Sequence, residues 1–184
     1  MSFSARSMST QQTLSIRDAR LYVFAAVFTA GNLIAPALVH SIPKGGFIFL
    51  PIFFFTLVAA YRFGFAAGAL TGLASPILNY ALTGMPPQSE LFTVVAQSVL
   101  LAAIATALAA RVGLAVWPLL VAAVAMQLAG FAIDVVRGGT VSAGLDVLRL
   151  GIPGVVLMVA GGYFALRLLD RFQIGKPRPG LATR

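Results

Sequence analysis

Charge is what this sequence lacks. Of its 184 residues only 18 are Lys, Arg, Asp or Glu, 10% of the chain, against roughly a quarter in an ordinary soluble domain. So few charges cannot cover a water-facing surface, which excludes a soluble enzyme or soluble binding module. Acids are scarcest, five in all, and there is one histidine and no cysteine. The missing cysteines exclude disulfides, thiolate metal sites and Cys nucleophiles. No Walker-type phosphate loop occurs, so an ATP-driven process would need a motor on another chain. Ser75 precedes Pro76 without a Gly-x-Ser-x-Gly setting or an evident base, so no nucleophile–base pair can be assembled and no enzyme is expected.

What is present is apolar. Hydrophobic residues make up 59% of the chain and the mean hydropathy is +0.94, the composition of an all-α integral membrane protein. Apolar runs at 21–39, 47–61, 65–82, 91–110, 113–133 and 150–169 predict a six-transmembrane-helix bundle spanning 21–169. The second run is shorter than the roughly 20 residues that cross a hydrocarbon core. Bounded by Gly45-Gly46 and Arg62-Phe63-Gly64, it is expected to be short, tilted or partly re-entrant. Residues 1–20, rich in Ser, Thr, Gln and Arg, contain no short apolar core followed by a cleavage site and read as a cytoplasmic tail. Ser15-x-x-Asp18 has capping-box spacing for the first helix, and residues 170–184 form a second, basic cytoplasmic tail.

The formal charge of +8 sorts onto one side. With the N-terminus inside, Arg6, Arg17, Arg20, Arg62, Arg111, Arg167, Arg171, Lys176, Arg178 and Arg184 face the cytoplasm with Asp18 and Asp170. The outer side holds Lys44, Arg137 and Arg149 against Glu90, Asp134 and Asp146, and is neutral. This is the positive-inside pattern, and removing any one span would scatter it. The basic residues do not interleave with stacking aromatics in a polar segment, so no nucleic acid partner is expected.

Helices in lipid associate through small residues. Gly64-x-x-x-Gly68-x-x-x-Gly72 and Ala26-x-x-x-Ala30 read either as packing faces within the bundle or, for the alanines, as a docking face for another membrane subunit. Polar groups in the bilayer are few: Asn32, Asn79, Gln97, Gln127 and Asp134, with Tyr80 and Tyr163 amphipathic. No charged relay crosses the membrane centre, which argues against a proton pump or a voltage sensor. Asn79, Tyr80 and Gln97 are expected in the outer half, with His40 at the outer mouth. Two outer loops carry further polar chemistry: 83–90, stiffened by Pro86-Pro87, and 134–149, a long connection with Arg137 and Arg149 that could rim a pocket.

The run Leu50-Pro51-Ile52-Phe53-Phe54-Phe55-Thr56-Leu57-Val58-Ala59-Ala60-Tyr61-Arg62-Phe63-Gly64, with Ser75-Pro76-Ile77-Leu78-Asn79-Tyr80-Ala81-Leu82-Thr83-Gly84-Met85-Pro86-Pro87, the alanine stripe and the six short spans, resembles the substrate-binding S-components of energy-coupling factor (ECF) vitamin transporters. The likeness is greatest to their solitary cobalamin-binding BtuM type. It implies a bacterial inner-membrane protein with both termini inside and an outward-facing pocket. A vitamin-sized substrate, cobalamin or another corrinoid foremost, would bind near Asn79, Tyr80, Met85, Gln97, His40, Arg137 and Arg149. It also implies that Ala26 and Ala30 contact an ECF coupling subunit and its ATPases, unless the protein acts alone. The BtuM type carries a cobalt-ligating cysteine near the end of the third helix, where this chain has Tyr80. Either Tyr80, His40 or Met85 makes the axial contact, or the cobalt is unligated, or the substrate is another vitamin or metal macrocycle. No intrinsic cofactor is expected. A membrane assembly protein without a small-molecule substrate is the reading from a different class.

Overall fold

The computed structural model describes residues 11–39 and 42–175, which form eight α-helices and no strand. They are α1 (Ala19–Val39), α2 (Gly45–Phe49), α3 (Pro51–Phe63), α4 (Phe65–Thr83), α5 (Gln88–Val112), α6 (Val116–Val136), α7 (Val141–Leu150) and α8 (Ile152–Arg171). Six spans are long and apolar enough to cross a membrane: α1, α2 with α3, α4, α5, α6 and α8. An even number of crossings returns the chain to its starting end, where the Arg20 guanidinium donates to the Gly175 carbonyl at 3.3 Å.

The second span is long enough to cross after all, as 19 residues from Gly45 to Phe63. Its interruption is local: Leu50 sits in the left-handed region at φ 49°, and Pro51, with φ preset and no N–H to satisfy, opens α3. A broken helix is tolerated at membrane depth only where protein surrounds it. That holds here, since 67% of this span is buried against 28 to 39% of the others. The run that looks weakest by length is the central helix, packed on α1, α4, α5 and α8.

The capping-box expectation is corrected. Helix α1 begins at Ala19, and the Asp18 carboxylate accepts the Arg20 backbone N–H at 2.9 Å, while Ser15 only closes the preceding turn. The Arg20 guanidinium and N–H hold the Asp18 carboxyl below the usual carboxylate range.

Small residues set the helix spacing. A Cβ on Gly68 would lie 2.4 Å from the Ala60 Cβ and 2.9 Å from that of Ala102, and one on Gly72 would meet Ser98 and Thr56. The glycine stripe therefore packs α4 between α3 and α5. Gly64 does a different job: at φ 88° it links α3 to α4, a conformation that L side chains rarely adopt. Ala26 and Ala30, by contrast, are exposed on the outer surface of α1.

One polar node ties three helices. Asn32 is fully buried, and its amide donates to Thr56 Oγ1 on α3 and Ser75 Oγ on α4, both at 3.0 Å, while its oxygen accepts the Phe55 N–H. The Ser75 hydroxyl in turn donates to the Thr71 carbonyl at 2.6 Å. Every side-chain polar atom of Asn32 is thus engaged, which an apolar interior demands.

At the end that holds residues 11–18 and 171–175, the bundle is laced shut. Arg62, 1% exposed, pairs with Asp170 on α8 at 2.6 Å and donates to the Ile174 carbonyl. The N–H groups of Gln12 and Leu14 bond the last carbonyls of α3, Tyr61 donates to the Gly113 carbonyl, and Phe24 stacks on Phe63.

Asn32→Leu should lower unfolding free energy in detergent by about 1–3 kcal/mol, because it strands buried hydroxyl and amide partners. Gly68→Leu should do at least as much through overpacking. Gly46→Ala, where an added Cβ meets nothing within 4 Å, should leave the melting midpoint unchanged. Thermal melts of purified protein test all three, and equal midpoints would refute the packing assignment.

Candidate functional site

The opposite end of the bundle is hollow. A cavity of about 450 Å³ lies among the last turn of α1, the α2–α3 break, the end of α4, the 85–87 segment, the first turns of α5, the last turns of α6, and α7. Its walls are mainly apolar, with Phe47, Phe53 and Phe131 among them.

Polar groups reach it as two facing stripes. On α5, Glu90, Thr93 and Gln97 recur at helical spacing, and on α6 Gln127 and Asp134 share one face with Gly130 between them. Thr93 Oγ1 donates to Asp134 Oδ1 at 3.1 Å and lies 3.4 Å from an Arg137 guanidinium nitrogen. Gln97, 8% exposed, donates to the Met126 carbonyl at 3.2 Å. It can do so because residue 130 is glycine: a Cβ there would fall 2.0 Å from Gln97 Nε2. Gly151 makes the same room for Gln127, whose Nε2 is buried without a hydrogen-bond partner among the described residues. Asn79 enters from α4, 6% exposed, and its side-chain amide bonds no described residue.

Of the residues expected at a site, Asn79, Met85 and Gln97 line this cavity. Tyr80 does not, because one residue along a helix turns about 100° and Asn79 takes the inward position. Arg137 is exposed, with its guanidinium over the Phe92 ring and against Thr93, so it braces the rim from outside. Arg149 is exposed and pairs loosely with Asp146 at 3.7 Å. His40 lies outside the described residues.

The long outer loop is corrected too. Helix α6 runs to Val136, and after four residues α7 begins at a Thr140 cap that accepts the Ala143 N–H. Its Gly144, Val147 and Leu148 face the cavity, and Asp146 and Arg149 face away. An apolar face at helical spacing after a Thr cap was the available signal. Glu90, Thr93, Gln127, Asp134 and Lys44 also line the cavity, and the sequence reading assigned none of them to a site. Among the described residues no three His, Asp or Glu side chains converge as a metal site.

No protein-family model, curated protein or solved structure matches the chain. The site is therefore read from its own chemistry: an apolar chamber with a few placed polar groups, the usual construction of a small-molecule pocket.

The absence of native cysteine makes access measurable. Val94→Cys, on the cavity wall, should react with a small water-soluble methanethiosulfonate, and Leu57→Cys, fully buried in α3, should not. Intact mass reads the adduct, and an unreactive Val94→Cys would mean that the chamber is closed to water.

Proposed function

We propose that this chain is a membrane-embedded substrate-binding subunit of the ECF S-component kind, taking up a vitamin-sized molecule across the bacterial inner membrane. The observation that carries the reading is the chamber of about 450 Å³ at one end of a six-span bundle whose other end is laced shut. A bundle built only to pack would have no use for such a hollow. The closed end carries Arg17, Arg20, Arg62, Arg111, Arg167 and Arg171, while the hollow end has Lys44, Arg137 and Arg149 balanced by three acids. By the positive-inside rule the closed end is cytoplasmic and the chamber opens outward.

The chamber's size favours one branch of the substrate reading. Pockets for drug-sized ligands run to roughly 300–1,000 Å³, and this one sits low in that range. A corrin macrocycle with its nucleotide tail is larger than such a ligand. With Tyr80 off the wall and no cysteine to ligate cobalt, the better fit is a smaller vitamin. The exposed Ala26 and Ala30 leave a flat strip on α1 against which a coupling subunit can pack closely.

Thermal shift and calorimetry of the detergent-purified protein against cobalamin, riboflavin, biotin, pantothenate, thiamine and pyridoxamine test the reading. At least one should bind, and none binding would favour an assembly protein. For the compound that binds, Asn79→Ala and Gln97→Ala should weaken affinity about tenfold, and Tyr80→Ala should not. Ala26→Trp and Ala30→Trp should keep the affinity and abolish uptake.

A further inference from the structure

We propose that the molecule held in this chamber is a cation: a compact, flat apolar body bearing a positively charged nitrogen that sits between Glu90 and Asp134. The inference rests on the reading of the chamber as a small-molecule site and narrows its substrate class.

Both carboxylates line the chamber, Glu90 from the first turn of α5 and Asp134 from the last turn of α6. Neither forms an ion pair with any described residue. Asp134 has a neutral partner, the Thr93 hydroxyl, and the nearby Arg137 guanidinium is directed at Thr93 and the Phe92 ring. Glu90 has no side-chain hydrogen bond to a described residue. Among the described residues the one cationic side chain on the wall is Lys44, exposed at the α2 entrance. Among the described residues, two carboxylates against one rim amine leave the lining negative. Charges drawn partly out of water with a like neighbour are unfavourable until an opposite charge joins them.

A second observation points to a ligand independently of the acids. The side chain of Asn79, a residue 6% exposed, has no hydrogen-bond partner among the described residues, and neither has Gln127 Nε2, which is buried against Gly151. Both line the same chamber. Unbonded buried amides are uncommon because each forfeits a hydrogen bond. A ligand with an acceptor on its edge would satisfy the Asn79 amide while its charged nitrogen lies toward the acids. Phe47, Phe53 and Phe131 on the wall suit a flat body and favour a cation over an anion at the ring faces.

The test measures calorimetric affinity for the six vitamins sorted by charge, and for three compounds with one indole body: tryptamine, tryptophol and indole-3-acetate. Cations should lead: thiamine or pyridoxamine among the vitamins, and tryptamine at least tenfold tighter than indole-3-acetate. For the tightest cation, Glu90→Gln and Asp134→Asn should each lose at least tenfold, with unliganded melting midpoints confirming the fold, and Arg149→Gln should lose nothing. Binding led by riboflavin, biotin, pantothenate or cobalamin, or carboxylate variants that keep cation affinity within twofold, overturns this inference and leaves the uptake reading standing. If no compound binds, both fall.

Discussion

Asn32 has no water to turn to. Placed at the centre of an apolar bundle, its amide must find three partners within the protein, and it finds them on two neighbouring helices. That requirement sets more than local geometry. The bond to Ser75 fixes the rotation of α4, and Thr71, Ser75 and Asn79 recur every four residues along one face. The same rotation that turns Ser75 to Asn32 therefore turns Asn79 into the chamber and Tyr80 away from it. On α3 the bond to Thr56 does likewise for Phe53, one turn nearer the hollow end. A hydrogen-bond node in the middle of the membrane thus determines which side chains a ligand would meet above it.

The two ends of the bundle are built by opposite rules. At the closed end, backbone and charged groups are satisfied by one another: Arg62 with Asp170, the last carbonyls of α3 with the 12–14 segment, Gly113 with Tyr61. At the hollow end, prolines and glycines interrupt the helices early, at Leu50-Pro51 and again at Gly84 to Pro87. Helix α7 covers part of the space there with its apolar face. The central position of α3 makes its early interruption possible. Being surrounded by protein, it need not match the bilayer thickness and can break where the chamber begins.

The chain's gross plan was legible because lipid imposes it. Six apolar runs, the sorting of Arg to one side and the close-packing glycines on α4 follow from the cost of polar groups in hydrocarbon, and that cost is written residue by residue. Side-chain facing was less legible. Asn79 and Tyr80 are adjacent and both carry polar groups, and only the contact of Ser75 with another helix decides between them. Helix α7 was read as loop because ten residues with mixed charge fall below any membrane-span threshold, although the Thr140 cap and the spacing of Gly144, Val147 and Leu148 were present. The polar stripes on α5 and α6 were also there to be read, as Glu90, Thr93, Gln97 and as Gln127, Gly130, Asp134. Each looks unremarkable alone, and they become a site only when the fold places them face to face.

Gly130 and Gly151 sharpen that last point. Each occupies the space in which a side chain would strike a glutamine amide, so each exists in the fold as room made for a polar group. For pure stability the opposite choice is better: apolar side chains at 97 and 127, packed against larger residues at 130 and 151, would remove an unbonded amide and fill part of the void. The bundle instead keeps Gln127 Nε2 and the Asn79 side chain without hydrogen-bond partners, and Glu90 and Asp134 without ion pairs, among the described residues. These deficits are small beside the packing of α3 and α4, so the fold can carry them empty. A complementary molecule would turn them into favourable interactions, and the free energy forgone in the empty state would then be recovered as selectivity for it.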